Sequence, residues 1–195
     1  MYVRDAKNRD EAWLLDEIER MGLDDAAFRS RDYVIAVDEE SGDRAGFGRL
    51  RIHKTDDGER IELTGIGVLP EWRDRGVGAH VVERLVDTAA ASGFETVYVL
   101  TDEADYLTQF GFEPVARADL PAVMQDRLGK KREQLGDDVV GLRIDAAGFE
   151  MPDRLREAFK RAAEPDEPTD EGATESPEDF GIDPESATYK YDTGR

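Results

Sequence analysis

The stretch Arg73-Asp-Arg-Gly-Val-Gly-Ala79 holds residue types suited to binding an anion. A strand pattern ends at Leu69-Pro70, a short charged loop follows, and Gly76 and Gly78 open a long helical pattern. The first N–H groups of a helix have no partner within it, and the helix dipole adds partial positive charge there. Glycine at both places removes the Cβ atoms that would hold a phosphate off the backbone, and Arg73 and Arg75 add charge. Two commoner phosphate motifs fail. The dinucleotide pattern Gly-x-Gly-x-x-Gly meets Val81 where its third glycine should stand, and no Gly-x-x-x-x-Gly-Lys-Ser/Thr run exists. A second polar set, Arg49, Arg51 and His53, alternates along one strand pattern and so shares a face. Such arginines can pair bidentately with carboxylates, or can equally make structural cross-strand pairs.

Composition narrows the chemistry. The 195 residues include no cysteine, which removes disulfides, thiolate metal sites and a cysteine nucleophile together. Only two histidines occur, His53 and His80, in unrelated segments, so no metal site is expected. The formal charge of −20 would repel a phosphate backbone, so nucleic acid is excluded as a partner. No apolar run is long enough to span a membrane, and residues 1–10 are already charged, giving the expectation of a soluble, cytoplasmic protein. Acidic residues are spread over every element, as suits a halophilic protein whose surroundings screen them, and an ordinary acidic protein is the alternative.

These residues are positioned by a mixed α/β pattern. Strands are expected at 2–6, 33–38, 45–53, 60–69, 96–101, 111–116 and 139–145, with helices at 8–21, 76–92, 102–110 and 121–135 and one further turn within 24–29. Val77, Val81, Val82, Leu85, Val86, Ala89 and Ala90 form one apolar stripe, ended by Gly93. An antiparallel meander followed by a crossover helix predicts a mostly antiparallel central sheet flanked by helices. The domain closes near Ala147. Met151, Leu155 and Phe159 then stand four apart, predicting an appended amphipathic helix within 148–163. Residues 164–195 hold 11 acidic residues and 4 prolines and read as a disordered tail.

Arg73-x-x-Gly76-x-Gly78-Ala79 resembles the coenzyme-gripping signature of the GNAT superfamily of N-acetyltransferases. Ile66-Gly67-Val68 stands where that family has a bulged strand that bonds the pantetheine arm. Tyr106-Leu-Thr-Gln-Phe-Gly-Phe112 resembles its second block, an aromatic helix ending in Gly-Phe. The resemblance runs from about Tyr2 to Asp145, and the part from Phe94 to Pro121 is also similar to the acetyltransferase domain of N-acetylglutamate synthase. It implies a GNAT fold over residues 1–147 and acetyl-CoA as cosubstrate. The coenzyme site would comprise Ile66, Gly67, Val68, Arg73, Asp74, Arg75, Gly76, Val77, Gly78 and Ala79.

Acetyl transfer to an amine needs a base for the amine's proton, donors for the oxygen that gains charge, and an acid for the thiolate. The resemblance points to Glu62 as the base, six residues before Val68 and hence expected on the same face as Ile66 and Val68. The alternative is a structural pair of Glu62 with Arg49 or Arg51. Main chain near Gly67–Val68 supplies the oxyanion donors. Tyr106 is the candidate acid, although the family's usual place is Leu107. The acceptor expected is a small-molecule amine, an amino acid by preference, held by Arg49 and Arg51. Alternatives are a protein lysine or N-terminus, or a non-catalytic acyl-CoA sensor; a homodimer is the assembly expected.

Overall fold

The computed structural model describes residues 1–23 and 27–163. The expected tail at 164–195 and part of the expected turn at 24–29 lie outside the described residues.

Seven strands form one sheet: β1 (Tyr2–Asp5), β2 (Tyr33–Val37), β3 (Arg44–Thr55), β4 (Gly58–Val68), β5 (Thr96–Thr101), β6 (Glu113–Val115) and β7 (Val140–Asp145). Their order is β1-β2-β3-β4-β5-β7-β6, antiparallel everywhere except between β4 and β5. The parallel pair follows from the crossover helix α2 (Val77–Ala91), because a tight hairpin cannot join parallel strands. The remaining helices are α1 (Glu11–Arg20), α3 (Ala104–Thr108), α4 (Ala122–Leu135) and α5 (Asp153–Lys160). Both α1 and α2 end on a left-handed glycine, Gly22 and Gly93. In each case a 6→1 bond, Leu23 N–H to Ile18 O and Phe94 N–H to Ala89 O, satisfies the orphan carbonyls.

Each face of the sheet has its own helices. The apolar stripe of α2 packs with Leu107, Leu155 and Phe159 on Ile61, Leu63, Val97 and Val99. The other face carries α1, whose Leu14 and Ile18 meet Tyr33, Ile35 and Phe47, and α4, whose Met124 and Leu128 meet Leu100.

The register between β3 and β4 breaks once. Phe47 pairs with Gly67 and Arg49 with Thr64, so two residues, Gly65 and Ile66, stand against Gly48. Gly65 has φ +59°, a left-handed conformation that glycine adopts without a Cβ penalty. This bulge reverses the alternation of side chains. Ile66 and Val68 pack on the α2 face, whereas Glu62 and Thr64 stay with Arg49 and Arg51 on the α1/α4 face. The expectation that Glu62 shares a face with Ile66 and Val68 is therefore corrected: the two-residue period does not survive the inserted residue. Among the described residues, the β4–β5 ladder runs only from Ile61↔Val97 to Leu63↔Val99. Past that point β4 follows β3 and β5 follows β7, and the two strands part.

A buried carboxylate fixes the first strand to the third. Asp10 is fully buried and takes two bonds from Arg4, at 2.7 and 3.1 Å, one from Arg44 at 3.0 Å and one from the Lys7 amide at 2.9 Å. The Arg4 hydrogen bond is the largest influence; burial opposes it, and the remaining donors leave Asp10 far below the usual carboxylate range. A carboxyl with a depressed folded pKa stabilises the fold above its unfolded value and loses that contribution as pH falls. Asp10→Asn is expected to cost about 3 kcal/mol in urea titration at pH 7, since it leaves two guanidinium groups without their anion. The deficit relative to wild type should shrink as the pH is lowered below about 4. A deficit independent of pH would count against this account.

Candidate active site

The loop before α2 is shaped by two left-handed residues, Asp74 at φ +61° and Gly76 at φ +73°. Asp74 is one of only two non-glycine residues with positive φ among those described, a conformation that costs free energy and is typical of functional turns. Backbone turns of this kind gather N–H groups into a concave anion site, and here they lead into the start of a 15-residue helix. Val77, Gly78 and Ala79 form its first turn.

The two glycines are needed for reasons the sequence does not disclose. A side chain on Gly76 would run into the Leu155 carbonyl of α5. One on Gly78 would stand 2.9 Å from the Tyr106 hydroxyl of α3. Both positions are thus crowded by protein on the sides of the helix.

The cations of the loop separate. Arg73 is exposed, its Nε donates to Val68 O at 3.4 Å, and it lines a cavity of about 470 Å³ with Met21, Ile66, Gly67 and Val68. Arg75 turns to the other side, where it donates to Ala162 O at 2.8 Å and lies over the Trp72 ring. Arg73 thus lies beside β4 and Arg75 beside residue 162.

Tyr106 is not a core aromatic. It is 36% exposed and packs edge-on against Phe110, whereas Leu107 is the residue buried beneath α2. Burial pushes its hydroxyl up to about 12, with Arg154 pulling it down and Asp74 up. A free thiol titrates near about 8.5, so this phenol can donate a hydrogen bond to a thiolate, but giving up its proton is uphill.

On the opposite face, Arg51 stands directly across from Glu62, Arg49 from Thr64 and His53 from Arg60. Arg49 and Glu62 are fully buried. Glu62 is held from two sides. His53 Nε2 lies 2.8 Å from Oε2, and Arg127 of α4 spans both oxygens, with Nη2 at 3.1 Å from Oε1 and Nε at 2.6 Å from Oε2. Lys131 stands 4.0 Å away and donates to Leu100 O at 2.8 Å. Burial alone would raise the pKa of Glu62; the His53 hydrogen bond and the Arg127 and Lys131 charges outweigh it and leave it lowered. Glu62 thus has His53, Arg127 and, further off, Lys131 around its carboxylate. Sequence reading missed Arg127 and Lys131. Their spacing of four on one helix was the available signal, but nothing local says that this face meets β4.

Arg29, Arg31, Arg49, Arg51, His53 and Lys54 line a groove of about 690 Å³ that also takes in Asp5, Asp32 and Glu59. In a chain of net charge −20 this is a local concentration of cations. No group of histidine, aspartate and glutamate suited to a metal, and no helix long and apolar enough to cross a membrane, occurs among the described residues.

Residues 2–112 match the description Acetyltransferase (GNAT) family. An amino-acid acetyltransferase of Pseudomonas fluorescens is 33% identical over 128 residues, 62% of this chain and 29% of the relative. One from Pseudomonas syringae pv. syringae is 39% identical over 67 residues, covering 34% and 16%. The chain thus spans under a third of the length of these relatives. Among solved structures, N-acetylglutamate synthase from Neisseria gonorrhoeae, complexed with coenzyme A and N-acetyl-glutamate, superposes with TM-score 0.58 at 19% identity, over 74% of this chain and 34% of that one. A Mycobacterium tuberculosis protein in complex with CoA gives TM-score 0.60 at 17% identity, over 74% and 99%. These likenesses show the fold.

Replacing Arg127 by Met removes the cation that spans the Glu62 carboxylate and leaves a buried charge short of compensation. The expected loss is about 3 kcal/mol in denaturant titration at neutral pH. Arg127→Lys should recover part of it. A change below about 1 kcal/mol, the range of exposed pairs, would show that the pair contributes little.

Proposed function

The chain belongs to the Acetyltransferase (GNAT) family, and on that premise we propose that it is an N-acetyltransferase that moves acetyl from acetyl-CoA to the primary amine of an amino acid or other small amine. The observation that carries the acceptor class is the placing of Arg49 and Arg51 on the face of Glu62, opposite Thr64 and Glu62 themselves. Two guanidinium groups on a sheet floor suit an acceptor bearing one or two carboxylates, glutamate among them. The similarity to amino-acid acetyltransferases supports the same class.

The residues present fit the coenzyme. The left-handed loop at Asp74 and Gly76, the first turn of α2 and the parting of β4 from β5 support a seat for a diphosphate and a slot for an extended arm. When bound, acetyl-CoA supplies an acyl carbonyl activated as a thioester. Amides of the first turn, Val77 to Ala79, with Arg73, hold the diphosphate. Main chain at Ile66–Val68 bonds the arm and donates to the oxygen that gains charge. Tyr106 keeps its proton and donates a hydrogen bond at the sulfur end. Glu62, ionised at neutral pH, takes the amine's proton; the donors that lower its pKa also make it a weaker base.

The Arg127 contact supports a second reading for Glu62, in which it anchors α4 and solvent takes the proton. Glu62→Gln separates the two. The first reading expects coenzyme A affinity to be retained while turnover falls at least about 100-fold, the scale of a lost general base. It also expects the acid limb of the wild-type rate profile to lie below the ordinary carboxylate range. Turnover retained in E62Q would support the anchoring role. Coenzyme release, followed in molar salt with glutamate, neutral amino acids, polyamines and lysine peptides, tests the acceptor. Preference for a peptide or polyamine overturns the amino-acid reading, and no turnover on any amine, with coenzyme still bound, would favour a sensor.

A further inference from the structure

Helix α5 lies beyond the segment that matches the family, yet its contacts converge on the coenzyme loop. The Leu155 carbonyl and the Phe159 amide close over the Cα of Gly76. The Phe159 ring stacks on His80 with centroids 3.9 Å apart and planes inclined by 10°. Arg156 reaches Glu83 at 2.9 Å. Gly76, His80 and Glu83 follow the spacing of one side of a helix, so α5 runs along the flank of α2. The side two residues on, about 200° around the axis, belongs to Gly78 and is covered by the Tyr106 hydroxyl. The first turn of α2 thus lies between α5 and α3. The two sides are tied to each other: Arg154 donates to Gln109 Oε1, and Gln109 Nε2 donates to Tyr106 O at 2.6 Å. The last turn of α5 is closed by the loop itself, through Arg75 and Ala162 O.

We infer that α5 is a positioning element of the coenzyme site, which fixes the left-handed turn at Gly76 so that the loop amides are held ready for the diphosphate. The inference rests on the assignment of that loop to acetyl-CoA. It gives Arg75 a different task from Arg73: Arg75 locks α5 to the loop, and Arg73 faces the ligand. It also explains why position 76 tolerates only glycine, on grounds of both φ and the passing Leu155 carbonyl.

The stack of Phe159 on His80 is the contact to remove. Phe159→Ala is expected to weaken coenzyme A binding, measured by calorimetry, by about tenfold, the scale of a modest misplacement of a binding group. The KM for the amine acceptor should stay unchanged, a split that a general loss of fold would not give. Phe159→Tyr keeps the stacked ring and should bind coenzyme A more tightly than Phe159→Ala. Should F159A fail to fold, Arg156→Ala removes only an exposed pair and is expected to weaken binding about twofold. Coenzyme affinity equal to wild type in the folded variant overturns the inference. Tighter binding overturns it too, since α5 would then be a plug on the loop. A wild-type chain that binds no coenzyme A overturns the loop assignment itself and is told apart by that control.

Discussion

The inserted residue in β4 is the constraint on which the rest of the site depends. A strand alternates its side chains strictly, so one face of β4 could not serve both a packed helix and a polar floor along its length. The left-handed turn at Gly65 resolves this. Before it, Glu62 and Thr64 face α4 and α1; after it, Ile66 and Val68 face α2. The same distortion lies just past the end of the β4–β5 ladder, so the main chain of Ile66–Val68 is paired with β3 and not with β5.

Charge is organised around that division. Among the described residues most carboxylates are exposed or half-buried, where screening decides their effect. Two interior carboxylates are surrounded by donors from distant segments: Asp10 between Arg4 and Arg44, Glu62 between His53, Arg127 and Lys131. Ionised groups taken out of water must recover that cost through specific partners, and these two do so by linking segments far apart in the chain. Asp10 joins β1, the turn before α1 and β3. Glu62 joins β3, β4 and α4. The second network lies under the arginines proposed to hold the acceptor, so the floor of the groove and the packing of α4 are one electrostatic unit.

The proposed coenzyme end is built differently, from backbone. In that reading anion binding falls to N–H groups whose direction depends on φ at two residues, and backbone conformation of that sort needs support from outside the loop. The support comes from α3 through Tyr106 and from α5 through Leu155 and Phe159.

Sequence by itself determined the elements and their order. The stripe from Val77 to Ala89, the stops at Gly22 and Gly93 and the spacing of Leu155 and Phe159 are local patterns, because helix periodicity and capping act within a few residues. The loop from Arg73 to Ala79 was legible for the same reason. What the tertiary structure alone decided is how these pieces face one another. The parity of Glu62 against Val68 turned on a single left-handed glycine, which no two-residue period can register. That Arg127 and His53 hold Glu62 required α4 to lie across β4, and the bond from Arg75 to Ala162 required a segment 87 residues away to dock beside the loop. Such contacts are set by the packing of apolar faces, which fixes distances between residues that share no local signal.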